Sequence, residues 1–168
     1  MIDIICFDGE RFELSFNKLF YLKEFNTYEA KSEEKLRKIL TNKNLDFIYS
    51  AERNSKNDRL HHKNSGLNQI TLRMMRKNKI AYAFNFSDLL DCPSDLRMSQ
   101  LLGKMVQNVS LCRKFKVKMI LSSFAKNKWQ MRNPYDLMAF GRTIGMTGKE
   151  SKDALNFSRK ERDIEELR

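Results

Sequence analysis

The sequence predicts an α/β fold with a mostly parallel sheet, in a single domain over residues 1–168 whose last stretch, 155–168, is a loosely packed C-terminal helix. Three observations predict it. From Leu45 onward, strand-like apolar runs alternate with helix-period segments, and that alternation implies right-handed crossovers between parallel strands. The runs at 45–49 (LDFIY), 80–86 (IAYAFNF) and 119–121 (MIL, preceded by Val117) are nearly continuously apolar, as strands covered on both faces are. With only two prolines, no repeat and no low-complexity linker, no domain boundary is signalled.

Taken in order, residues 2–7 (IDIICF) read as a strand closed by the Asp8-Gly9 turn, and 19–25 (LFYLKEF) as a second one. Ser32 caps a helix whose first turn carries Glu33 and Glu34, with Leu36, Ile39 and Leu40 facing inward. After the 45–49 strand comes the aperiodic stretch 50–64, and Ser65 is expected to cap the next helix, through about Asn78. The 80–86 strand leads to an acidic loop with Asp88, Asp91 and Asp95. A long helix from about Ser94 to Phe115 then buries Leu101, Leu102, Met105, Val109, Cys112 and Phe115. The last strand is followed by Asn133 as N-cap, Pro134 at the first helical position, and Leu137, Phe140, Gly141 and Ile144 at helical spacing. Thr147 and Glu150 form a capping box for a final helix expected to run toward the C-terminus.

Charge narrows the function. Lys plus Arg number 32 against 21 Asp plus Glu, a formal +11, which favours a polyanionic partner. Residues 111–132 alone hold seven Lys or Arg and no acid. In a parallel sheet, the loops leaving the carboxyl ends of the strands share one rim. That brings Arg53, Lys56, Arg59, His62 and Lys63 of one loop toward Lys126, Lys128 and Arg132 of another, as candidate RNA-binding residues. A secondary basic set, Arg76, Lys77, Arg113, Lys114 and Lys116, with Arg73, Lys79 and Lys118 beside it, falls at the opposite rim, where cations also complement helix dipoles. Trp129 either packs over a helix or stacks on a base.

Chemistry is sparse. His61 and His62 are adjacent and no third histidine exists, so no metal site is expected. The acidic loop reads as solvated rather than as a Mg²⁺ site, and no phosphate-binding or nucleophile motif occurs. No catalytic residue is assigned. Cys6, Cys92 and Cys112 are widely spaced, Cys6 and Cys112 read as core, and a reducing, cytoplasmic setting fits them. No transmembrane run is present, and residues 1–7 lack a signal-peptide pattern.

Four blocks, 64–70 (NSGLNQI), 79–90 (KIAYAFNFSDLL), 101–118 (LLGKMVQNVSLCRKFKVK) and 120–145 (ILSSFAKNKWQMRNPYDLMAFGRTIG), resemble the archaeal ribonuclease P protein component 3 family in order and spacing. The resemblance implies an α/β barrel related to the triosephosphate-isomerase type, here incomplete or open. The family's first strand–helix unit is missing, and little after Leu155 matches. It also implies a non-catalytic RNA-binding subunit of ribonuclease P, the endonuclease that removes the 5′ leader of precursor tRNA. The RNA subunit carries catalysis and needs Mg²⁺, and the protein itself binds no cofactor. The implied partners are ribonuclease P RNA, a small ferredoxin-like protein subunit and the other ribonuclease P proteins, with no membrane. The open sheet edge is expected to be covered by the region 2–25 or by a partner. Alternatives are a metal-dependent phosphoesterase on a related barrel and a general basic RNA-binding protein.

Overall fold

The computed structural model describes residues 1–41, 44–54 and 64–157. Every paired strand runs parallel. β1 (Ile2–Ile5) pairs with β2 (Lys18–Tyr21). β3 (Thr27–Glu29), β4 (Phe47–Tyr49), β5 (Ala81–Asn85) and β6 (Met119–Ser122) form a second sheet in that order. Backbone bonds join the two sheets: the Phe124 N–H donates to the Ile4 carbonyl (3.0 Å) and the Cys6 N–H to that of Ala125 (2.8 Å). Both sides of this junction advance together, so β1 runs parallel to β6 and the spatial order is β3-β4-β5-β6-β1-β2. The N-terminal strands thus cover the β6 edge, as the sequence led us to expect.

Asp3 makes that junction. It is a buried charge inside an otherwise apolar strand, and its carboxylate accepts from the hydroxyls of Ser122 (2.6 Å) and Ser123 (2.5 Å) and from the Ser123 N–H (2.7 Å). Burial pushes its pKa up, while these hydrogen bonds pull the other way. At the opposite side no ladder joins β2 to β3 among the described residues. A 3-10 turn, Leu22–Glu24, links them instead, and the chain then drops Phe25 into the interior.

The strand alternation sorts two cores. Phe47 of β4, Ala81 and Ala83 of β5, and Ile120 of β6 face an interior shared with Ile4, Phe25, Phe124 and Phe157. The two alanines leave room for the rings: Phe47 lies 5.4 Å from Phe25 and 6.1 Å from Phe124, centroid to centroid. Because β1, β4, β5 and β6 meet around one aromatic cluster, the wall is curled rather than flat. The other strand faces, Ile48, Tyr82, Phe84 and Leu121, meet the helices.

Those helices start where the side chains can cap them. α1 (Glu33–Ile39) opens on Ser32, α4 (Asp95–Phe115) on Ser94, and α5 (Pro134–Thr143) on Asn133 with Pro134 at its first turn. α2 (Gln69–Lys77) corrects the sequence reading. Its cap is Asn68, in a reciprocal pair with Thr71, and not Ser65, because Gly66 at φ +79 turns the chain between them. A short α3 (Ser87–Leu90) occupies part of the acidic loop, and β3 was not foreseen. α6 (Gly148–Ala154) has the expected Thr147–Glu150 box but stops early. The Leu155 carbonyl accepts from the Ile2 N–H (2.7 Å), and Phe157 is buried in the interior, so residues 155–157 leave the helix. The remainder of the expected C-terminal helix lies outside the described residues.

Candidate nucleic-acid interface

At the carboxyl ends of the strands, Arg53 and Lys126 come together on a cavity of about 180 Å³ that Asn85, Asp88 and Tyr49 also line. Two separate loops therefore meet at one rim. Lys56, Arg59, His62 and Lys63, predicted for the same rim, lie outside the described residues. The cations that are described there have acidic or backbone partners. Arg53 pairs with Asp88 (3.1 Å), Lys126 with Asp91, and Lys128 with Glu10 (2.8 Å). Arg132 donates to the carbonyls of Trp129 (3.0 Å) and Met131 (2.8 Å) and lies over the Phe86 ring. The three loop aspartates are thereby separated: Asp88 and Asp91 take different cations, and Asp95 sits in the first turn of α4. Trp129 is 72% exposed, and Phe12 is the ring against its edge (5.4 Å).

Burial pushes the Asp88 carboxyl up, against the pull of Ser50 and Arg53. Cys6, read from sequence as core, is exposed where β1 ends and lines the same cavity. Burial of its sulfur still pushes the thiol up to about 11, so it is no thiolate at neutral pH.

The amino-end rim is different. α2 and α4 end side by side and feed the neighbouring strands β5 and β6. Each exit is a lysine in the left-handed region, Lys79 at φ +53 and Lys116 at φ +55. Glycine or asparagine is the usual residue at such a position. Around them Arg73, Arg76, Lys77, Lys114 and Lys118 are exposed, and none has a carboxylate partner among the described residues. Lys114 and Lys118 each lie near a ring, at 5.9 Å from Phe115 and 5.0 Å from Phe157. Arg113 is the exception. It holds Glu150 through two bonds of 2.8 Å and donates to the Gly145 carbonyl. Its guanidinium keeps the Glu150 carboxyl down at about 2.

Asp88, 3% exposed, corrects the solvated reading of the acidic loop, and Asn85 escaped the sequence reading as a polar site. Asn85 and Asp88 are buried at the end of β5 and the start of α3, and the signal was there: an Asn closing an apolar strand, then a Ser-Asp at its carboxyl end. Asp3 in residues 2–5 (IDII) is the same kind of signal.

Comparison with known proteins agrees with this architecture. Ribonuclease P protein component 3 of Methanocaldococcus jannaschii is 37% identical over 82 residues, 49% of this chain and 35% of that protein. The Thermococcus kodakarensis protein of the same name is 32% identical over 95 residues, 56% of this chain and 43% of its own length. The match thus spans less than half the length of these relatives. A chain in the cryo-EM structure of archaeal ribonuclease P with mature tRNA shares the fold, with a TM-score of 0.73 at 20% identity, covering 93% of this chain and 87% of that one. The family model for RNase P subunit p30 matches residues 24–161, and the chain belongs to that family.

Proposed function

We propose that this chain is a protein subunit of ribonuclease P and that its amino-end rim is the surface that holds RNA phosphates. The observation that carries this is the contrast between the two rims. Among the described residues, the cations at the carboxyl ends, Arg53, Lys126, Lys128 and Arg132, are already matched to acids or carbonyls. Those at the ends of α2 and α4 stand exposed, and among the described residues Arg113 alone of them has an ion-pair partner, Glu150. Phosphate neutralisation requires free cations, and it yields affinity that falls steeply with salt and reads little sequence. Cleavage of precursor tRNA, with the Mg²⁺ it needs, is assigned to the RNA, and this chain steadies the fold of that RNA. A small ferredoxin-like subunit is its protein partner, as the family resemblance implies. No described helix is long and apolar enough to cross a membrane.

The test is reconstitution of precursor-tRNA cleavage from ribonuclease P RNA and the small protein partner, with and without this chain. Addition is expected to raise the cleavage rate at limiting Mg²⁺. An unchanged rate would remove the proposal.

A further inference from the structure

Three helix ends lie side by side at the amino-end rim and are fastened to one another. α1, α2 and α4 precede β4, β5 and β6, which are neighbours in the sheet, so the helices are neighbours outside it. The Asn78 amide that ends α2 donates to the Leu40 carbonyl at the end of α1 (2.6 Å), and at their starts the Asn68 amide donates to the Glu33 carboxylate (2.6 Å). Leu72, Met75, Met105 and Val109 bury α2 and α4 in one core. Arg113, in the last turn of α4, ties that helix to the Gly145 carbonyl and to Glu150. The cations on these ends, Lys38, Arg76, Lys77 and Lys114, and the exits Lys79 and Lys116 are all exposed, and a fixed framework carries them. Packed helices lie 8–10 Å apart, so three in a row make a cationic band roughly 20 Å wide.

This band has no ring for a base. The exposed aromatic side chains among the described residues are Phe12, Trp129 and Tyr135, in the segment after β1, the turn after β6 and the start of α5, all toward the carboxyl ends. None of the exposed large apolar side chains among those residues lies in the last turns of α1, α2 and α4 or at their exits. Proteins that hold single strands combine a cationic groove with aromatic platforms on which bases stack. A lipid surface is entered by apolar side chains beside the cations. The rim has neither feature. An RNA double helix keeps its bases stacked inside and presents phosphates and 2′-hydroxyls on two strands, which suits a rigid band of cations without rings.

We propose that this rim docks on a double-helical segment of RNA, lying across phosphates of both strands and reading no base. The inference rests on the rim being the phosphate-binding surface and narrows its ligand to duplex RNA. Duplex binding releases about 0.9 counterion per neutralised phosphate and single-strand binding about 0.7. About six contacts therefore favour the duplex by about tenfold at roughly 100 mM salt. Stacking is the force that would reverse this order, and it has no platform here.

The test is filter binding of the full chain to a duplex of about 20 A–U base pairs and to its separate oligo-A and oligo-U strands, at roughly 100 mM salt. The duplex is expected to bind at least about tenfold tighter than either strand. Lys79→Glu with Lys116→Glu should remove most of that preference, and Trp129→Ala should leave duplex affinity within about twofold. If the double variant fails to fold, the ratio of duplex to strand in the unaltered chain decides alone. Equal or tighter binding of either strand overturns the inference, as does a duplex that does not bind. A larger loss from Trp129→Ala would move the duplex to the other rim and overturn it too. If the strands bind as tightly as the duplex and the double variant weakens them, the phosphate-binding rim stands and the duplex assignment alone falls. If the double variant binds every RNA as the unaltered chain does, the rim reading itself has failed.

Discussion

Lys79 and Lys116 hold corresponding positions at the helix exits that lead into β5 and β6, both in the left-handed backbone region. Tyr82 lies opposite Met119 in the register, and each lysine precedes its partnered residue by three positions. Each lysine sits on a backbone that glycine adopts without cost, and each left-handed lysine costs roughly 1 kcal/mol. The phosphate-binding role proposed for this rim gives these lysines a use that glycine would not serve.

Replacing both, Lys79→Gly with Lys116→Gly, is therefore expected to raise stability or leave it unchanged, by up to about 1 kcal/mol per site, while weakening RNA affinity. Urea unfolding measures the first and filter binding the second. A double variant that lost stability and kept its affinity would reverse the reading.

Removing the Asp3 carboxylate, as in Asp3→Ala, orphans the Ser123 hydroxyl and the Ser123 N–H in a buried site, while the Ser122 hydroxyl keeps the Ile4 carbonyl (3.0 Å) as acceptor. At about 1–3 kcal/mol per orphaned buried group, partly relieved by local shifts, the loss should reach about 3 kcal/mol in urea unfolding. The slope of the transition should change as well if β1 and β2 come away from β6 first. A loss under about 1 kcal/mol would mean that the strand pair is held by the Phe124 and Cys6 backbone bonds alone.

Much of this was legible in the residues and some was not. The parallel order from β4 to β6 followed from long apolar runs, and the caps Ser32, Asn133 and Thr147 from side chains that compete for helix N–H groups. β3 was missed because three residues, Thr27–Glu29, are too short to carry a period, and a register with β4 decides them. Ser65 attracted the α2 cap because serine is a good cap anywhere, whereas the left-handed Gly66 delays the helix until Asn68. Of the two basic loops, Arg53 and Lys126 line one cavity. Their neutralisation was invisible, because Glu10 lies 118 residues from Lys128 and Asp91 lies 35 from Lys126. Ion pairing at such separations is a property of the fold.

Gly66 supports a further expectation. A Cβ there would stand 2.1 Å from the Ala51 carbonyl oxygen, and its φ of +79 disfavours any side chain. Gly66→Ala should cost more than about 2 kcal/mol and shift the turn that ends at Asn68. A stability within about 0.5 kcal/mol of the parent chain would contradict this close approach.

Stability should also depend on Glu52. Burial pushes its carboxyl up from 4.5 to about 7, with hydrogen bonds from Tyr82 (2.5 Å) and Asn108 (2.8 Å) opposing. Between those values the folded chain holds a proton that the unfolded chain has lost, so stability falls as pH rises from 4.5 toward 7. Full linkage amounts to about 3 kcal/mol. Urea unfolding at the two ends of that window, in the parent and in Glu52→Gln, checks it: the variant's profile should be flatter. Equal slopes would place the dependence on another group.

The most direct test of the central claim compares the two rims in one titration. Affinity for ribonuclease P RNA is measured by filter binding over roughly 50 to 200 mM salt, for Lys79→Glu with Lys116→Glu and for Lys128→Glu with Arg132→Glu. The first pair is predicted to flatten the dependence of log affinity on log salt by about 1.5, near two released counterions, and the second to leave it within about 0.5 of the parent chain. A flattened slope from the second pair and an unchanged one from the first would contradict the account.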